Sequence, residues 1–254
     1  MTEKNTAWWK NETFWEVFEP IMFDSKRLEN SRKDVENIVS LTGASPEDSI
    51  LDVGCGNGRH LIHFAEMGFV TTGIDYSRSY IKKAEKRCSG EKINHKPELV
   101  NSDFRDMDFS GEFDGAVSLF QSIGYFENPS DDLKVFRNIY NALKPGGWFL
   151  VECDGKEVVA SGFEERTWFE RDGRIILLEY AVEGAWSTLR QRWMFRDTDK
   201  SWHETEISYR IYSAMELAQT LEQAGFGRIE LYGSLDGSLY DQNAKSLVAL
   251  AIKT

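Results

Sequence analysis

The chain has 254 residues, 13% of them aromatic, and a formal net charge of −12 at pH 7. That charge opposes binding to a phosphate backbone, where affinity comes from Lys and Arg displacing counterions, so nucleic acid ranks low as a partner. No run of ~18 apolar residues suggests a membrane span. The segment Met1 to Lys10 has no signal-peptide pattern, and Cys55, Cys88 and Cys153 form no C-x-x-C pair, so a cytoplasmic protein with reduced thiols is expected.

The amino terminus is crowded with Trp8, Trp9, Phe14, Trp15, Phe18 and Phe23. Periodicity predicts helices from Thr13 to Glu19 and from Ser25 to Thr42. Residues 1–45 are read as a helical cap, either a lid over a bound ligand or a helix docked by its apolar face, with Phe14 and Phe18 at i and i+4. As a lid, removal of residues 1–24 weakens ligand binding while the remainder stays folded. The core, 46–254, opens with the strand at Ser49-Ile50-Leu51-Asp52-Val53, which runs into alternate glycines Gly54, Gly56 and Gly58 and then a helix from Asn57 to Gly68. Glycines permit positive φ and close approach of a ligand to bare backbone. A dinucleotide fingerprint, G-x-G-x-x-G, needs its third glycine where Arg59 stands, which counts against a nicotinamide oxidoreductase. The next strand, Val70 to Ile74, ends at Asp75, 21 residues past Gly54, where a carboxylate suits two ribose hydroxyls and repels phosphate. Helices from Ser77 to Ser89 and from Pro129 to Leu143 follow, the latter opened by Ser130-Asp131-Asp132. The βαβ alternation predicts a mostly parallel sheet with right-handed crossovers and a ligand beyond the carboxyl ends of its strands.

From Ser49 to Glu152 these features, with Asn101-Ser102-Asp103-Phe104, the strand at Glu112 to Phe120 and Leu143-Lys144-Pro145-Gly146-Gly147 leading into the next strand, resemble the class I S-adenosylmethionine-dependent methyltransferases. The resemblance implies a Rossmann-like sheet of seven strands, completed by an antiparallel pair at Arg228 to Tyr232 and Leu247 to Lys253. It implies S-adenosylmethionine as cofactor and S-adenosylhomocysteine as product. Carried over residue by residue, Asp52, Gly54, Gly56 and Gly58 form the methionine-side loop, Asp75 holds the ribose, and Tyr76 packs beside the adenine. Asp103 receives the adenine amino group, the backbone N–H of Phe104 caps the ring, and Leu119 lines the pocket.

Between Cys153 and Ser213 the period shifts toward two, with strands predicted at Arg174 to Val182, Ser187 to Arg196 and Trp202 to Tyr212. Residues 155–212 are therefore read as a small antiparallel insertion after the fifth strand, a candidate substrate cap. An added sheet that enlarges the core or makes a dimer contact is the alternative. Tyr125 is the candidate to orient the nucleophile. Trp15, Gln121, Asp154 and Tyr240 are candidate substrate contacts, with Glu152, Tyr232 and Asp236 nearby in sequence. His60, His63, His95 and His203 lack a metal-ligand pattern, so no metal site is expected.

Methyl transfer from a sulfonium asks mainly for positioning. The expected function is methylation of a small molecule, with nitrogen favoured over oxygen because acidic charge and π faces suit an amine. The alternatives are a protein or RNA acceptor and a non-catalytic cofactor-binding domain. The expected assembly is a monomer or homodimer.

Overall fold

The computed structural model describes residues 7–90 and 93–254. The first six residues of the expected cap, 1–6, lie outside the described residues. In chain order the elements are α1 (Glu12–Met22), α2 (Ser25–Thr42), β1 (Ser49–Val53), α3 (Leu61–Glu66), β2 (Val70–Asp75), α4 (Arg78–Arg87), β3 (Glu98–Asn101), β4 (Phe113–Ser118), α5 (Pro129–Ala142), β5 (Leu143–Cys153), α6 (Lys156–Ser161), β6 (Arg166–Arg171), β7 (Arg174–Glu183), β8 (Thr188–Arg196), β9 (Trp202–Arg210), α7 (Ala214–Ala224), β10 (Arg228–Tyr232) and β11 (Leu247–Ile252). Among the described residues no helix is long and apolar enough to cross a membrane.

Seven strands form one sheet in the order β10-β11-β5-β4-β1-β2-β3. The β1 to β5 pairings are parallel, and β11 runs antiparallel between β5 and β10. Fully buried central strands read as unbroken apolar runs, as in Leu247-Val248-Ala249-Leu250-Ala251. The chain winds outward from β1 to β3 and returns to β4 on the other side of β1. That reversal opens a crevice at the carboxyl ends of β1 and β4.

The inserted residues build a second sheet, β6-β7-β8-β9, with antiparallel neighbours throughout. On one face an ion-pair ladder crosses all four strands, from Glu204 through Arg192 and Glu179 to Arg166. The other face buries Ile176, Leu178, Leu189, Phe195 and Ile207 against Phe14, Trp15, Phe18 and Ile21 of α1. Burial of each such side chain contributes about 1.5–3 kcal/mol, so α1 and the insertion stabilise one another. Helix α2 instead buries Val35 and Ile38 among Ile50, Val117, Leu150 and Val248 of the main sheet. The two N-terminal helices thus serve different layers.

Helix α2 has the bounds predicted, because Asp24 accepts from Arg27 N at one end and Gly43 ends the other with φ 70°. Helix α3 starts four residues later than predicted. Gly56 and Gly58 hold φ values of 52° and 77°, so Asn57 to His60 remain a turn. Two elements carry signals that the sequence reading passed over, and a third carries none. Helix α7 opens with a complete capping box between Ser213 and Glu216 and closes at Gly225. Strand β6 joins β7 through Asp172-Gly173, both at positive φ, the Asp-Gly signature of a two-residue hairpin. Helix α6 has only six residues, too few to show a period.

Candidate active site

A cavity of about 780 Å³, open solvent included, lies at the carboxyl ends of β1, β2 and β4, and Asp52, Gly54, Gly56, Asp75, Tyr76, Asp103, Phe104, Leu119 and Tyr125 all line it. Its floor is the turn after β1. Gly54 N and Cys55 N both donate to Ile74 O, at 2.8 and 3.1 Å. Gly56 N and Ser77 N donate to the two oxygens of Asp75, at 2.9 and 2.8 Å, which fixes that carboxylate at the tip of β2. A Cβ on Gly54 would lie 2.5 Å from Ser122 Oγ, and one on Gly56 would lie 3.0 Å from the ring of Phe23. Gly58 corrects the sequence reading: a Cβ there would meet Cβ of Ala84 at 3.0 Å. This glycine lets the turn pack on α4 and does not face the cavity.

Burial dominates the electrostatics of the floor. It raises Asp52 from 3.8 to about 7, opposed by Arg59, and it raises Asp75 to about 6 despite the two backbone donors. Asp52 Oδ2 is buried without a hydrogen-bond partner, as is Asn57 Oδ1. His60 is lowered to about 4 by burial and by Arg59, so beside Asp34 it is neutral at pH 7.

At the far end, Asp103 accepts from Arg105 Nε at 3.0 Å and Nη2 at 2.7 Å. Arg105 N donates to the same carboxylate at 3.0 Å; with about four acceptor sites, Asp103 has room for one further donor. The Arg105 guanidinium lies 4.5 Å from the ring centroid of Phe126, and Trp9 stands edge-on to Tyr76 at 4.9 Å. These aromatic groups make a flat-walled slot.

A second cavity, of about 1160 Å³ with its open mouth included, lies between the main sheet and the insertion. The two cavities share Met22, Phe120 and Tyr125. Phe120 and Gln121 hold φ values of 59° and 58°, and two consecutive non-glycine residues in that region mark local strain at the exit of β4. Gln121 bridges backbone groups: Oε1 accepts from Asp154 N at 2.7 Å and Nε2 donates to Ile123 O at 3.0 Å. Asp154, at the end of β5, accepts from Tyr209 Oη, which accepts from Gln191 Nε2, whose Oε1 accepts from Trp193 Nε1, each at 2.6 Å. Burial raises the carboxyl of Asp154. Glu152 accepts from Phe120 N at 3.3 Å.

Two further residues differ from expectation. Trp15 lines the first cavity, not the second, and its Nε1 is spent on Trp9 O at 2.7 Å. Tyr240 lines neither cavity; its hydroxyl donates to Glu157 at 2.9 Å under Gly155. Tyr232 likewise donates to Glu230, and Asp236 accepts from Ser238 N in an exposed turn. The loop that carries Tyr240 turns this side chain to the base of the insertion and meets the second cavity only further on, at Lys245 and Ser246. Arg27, Arg171, Tyr180 and Tyr209 were missed. Their strands and helix were predicted in part, but which face meets the crevice depends on how the insertion folds back.

Residues 50–147 match the family model described as "Methyltransferase domain". That span holds the turn after β1, Asp75 and Asp103, so the part of the chain that is similar to methyltransferase domains is the part that lines the first cavity. It is 30% identical over 138 residues to a putative methyltransferase, YqeM, of Bacillus subtilis, covering 54% of each chain. It is 31% identical to a dTDP-3-amino-3,4,6-trideoxy-alpha-D-glucopyranose N,N-dimethyltransferase of Streptomyces venezuelae, over 52% of this chain and 54% of that one. The chain thus spans about half the length of these curated relatives. The fold extends further: an S-adenosylmethionine-dependent methyltransferase of Clostridium acetobutylicum superimposes with a TM-score of 0.77 at 17% identity, over 94% of this chain and 97% of the other.

Proposed function

We propose that this methyltransferase transfers the methyl group of S-adenosylmethionine to the nitrogen of a small-molecule amine held in the insertion-side cavity. The observation that carries this reading is the meeting of the two cavities at Met22, Phe120 and Tyr125, with Asp52 and Asp75 on one side and Asp154 on the other. The first cavity fits the cofactor on structural grounds. Asp52 Oδ2 is a buried acceptor in want of a donor, Asp75 is pinned at the strand tip, and a side chain at Gly54 or Gly56 would collide with its neighbours.

When bound, the sulfonium supplies a methyl group already activated for attack. Asp75 would accept from the ribose hydroxyls, and Asp52 would face the amino-acid end over the bare backbone of Gly54 and Gly56. Asp103, the Phe104 N–H, Tyr76 and Leu119 would enclose the adenine. On the other side, an amine must shed a proton before it attacks. Asp154 is the buried acceptor for it, held by Tyr209 on one oxygen. Tyr125, between the cavities, would orient the nucleophile. Residues 7–23 together with 155–212 are assigned as the cap that excludes water. The N,N-dimethyltransferase named among the relatives supports nitrogen as the acceptor atom.

The test is a titration of S-adenosylmethionine and S-adenosylhomocysteine into wild type and Asp75→Ala, followed by an amine panel read by S-adenosylhomocysteine release. Loss of the ribose acceptor is expected to weaken binding roughly 10- to 100-fold. Asp154→Asn should keep cofactor affinity and lower kcat by about 100-fold or more. Methylation of hydroxyl compounds alone would overturn the choice of nitrogen.

A further inference from the structure

The insertion-side cavity is bipolar. Asp154 and Glu152 form one side of its lining, while Arg27, Arg171 and Lys245 contribute cations to the same lining. The cations are not a solvated helix face. Asp24 is fully buried and accepts from Arg171 Nη1 at 2.6 Å while lying 3.6 Å from Arg27 Nε. Arg27 Nη1 is spent on the carbonyls of Ile21 and Met22, at 3.2 and 2.9 Å. Two guanidinium groups therefore share the Asp24 carboxylate; Asp154 also acts on Arg27 and Asp172 on Arg171, neither through a hydrogen bond to its guanidinium. Among the described residues, Arg27 Nη2 and Arg171 Nε and Nη2 have no protein acceptor. The Arg27 guanidinium is also stacked on Phe120, 4.2 Å from the ring centroid, and Arg171 lies over Phe169 at 4.8 Å. Such stacking fixes the plane of each fork while leaving its edge to donate. In a chain of net charge −12, three cations gather in the lining of this one cavity.

Resting on the N-methyltransferase reading above, we infer that the acceptor is an amine with an anionic group at its other end, the nitrogen at Asp154 and the anion on the Arg27–Arg171 pair. A guanidinium pair serves a carboxylate or a phosphate by the same bidentate geometry, so the shared chemistry is a planar or tetrahedral oxyanion. An amine without the anion would leave the free donors of Arg27 and Arg171 without an acceptor once the cavity closes, and that costs binding. The two cationic forks belong to different parts of the chain, α2 and the β6–β7 hairpin. The anion would therefore also tie the insertion to the N-terminal helices.

The experiment compares paired probes with purified enzyme: sarcosine and β-alanine against their amides, and glucosamine against its 6-phosphate and its nucleoside diphosphate form. Turnover is read by S-adenosylhomocysteine release, and S-adenosylmethionine affinity is measured on the same preparation. The anion-bearing member of at least one pair is expected to show kcat/KM about tenfold or more above the partner that lacks the anion, carried in KM. The preferred pair identifies the carboxylate or phosphate source. Arg171→Gln should narrow that gap, and Asp24 keeps Arg27 as its partner in this variant. Lys245→Gln provides a second test at an exposed position where misfolding is not at issue. Equal kcat/KM within every pair, turnover of no member while the cofactor still binds, or a gap unchanged by Arg171→Gln would each overturn the inference. Failure to bind S-adenosylmethionine would instead sink the underlying methyltransferase reading.

Discussion

Asp52 and Asp75 sit side by side in the floor of the first cavity, yet their surroundings differ. Asp75 is held by two backbone donors, whereas Asp52 keeps one buried oxygen unpaired. Burial lifts Asp52 from 3.8 to about 7, so the folded, ligand-free chain retains its proton where the unfolded chain has lost it. The stability this proton provides is complete below the unfolded value and disappears as pH rises through about 7. The stabilising effect of Asp52→Asn on the ligand-free protein, followed as Tm, should therefore be larger at pH 8 than at pH 5, and a constant difference would contradict it. The same residue links binding to protonation. If the cationic end of the cofactor pairs with the Asp52 carboxylate, binding near pH 6.5 releases a proton. Calorimetry in two buffers of different ionisation enthalpy should detect that release in wild type and find it reduced in Asp52→Asn. Asp75, raised to about 6, should make cofactor affinity fall as pH drops below about 6, because a protonated acid accepts fewer hydroxyl donors.

The turn between β1 and α3 separates glycines that look equivalent in sequence. Gly58 holds φ 77° and backs onto Ala84, whose Cα would lie 3.2 Å from an added Cβ. Gly58→Ala should cost about 1–3 kcal/mol through strain and crowding, as a lower denaturant midpoint. Gly56 holds φ 52° and an added Cβ would press on the ring of Phe23 at 3.0 Å inside the cavity, so Gly56→Ala should lower cofactor affinity as well as stability. A further element, α1, is docked by its apolar face on the second sheet, one of the two readings that its aromatic residues allowed. Phe18 is 3% exposed and lies 5.3 Å from the ring of Phe195 on β8. Phe18→Ala should cost about 3–5 kcal/mol and loosen the insertion. Removal of residues 1–24 should expose the inner face of the second sheet and fail to leave a folded remainder, as measured by thermal melting and dye binding. The alternation of Glu206 to Tyr212 and the bounds of α2 were evident from side-chain period and capping. Strand β6 escaped because its outward Trp168 is 66% exposed, which blurs the apolar alternation that normally signals a half-buried strand.

For the molecule as a whole, the local signals and the long-range contacts contributed different things. The sequence by itself determined the parallel βαβ core, because the glycine turn, the strand-tip acid Asp75 and the buried apolar strands are each set by backbone sterics and periodicity within about twenty residues, whereas the count of seven strands came with the resemblance. The spacing of the acid and the glycines pointed to a ribose without a pyrophosphate, and the resemblance carried the cofactor class. Only the tertiary structure decided the acceptor side. Arg27 and Arg171 are 144 positions apart in the chain and meet only across Asp24. Tyr209 finds Asp154 over 55 positions. Tyr240, near the site in linear expectation, is drawn instead to Glu157. Such pairings depend on how the second sheet packs against α1 and the main sheet, a balance of buried area and charge that no local pattern of residues encodes.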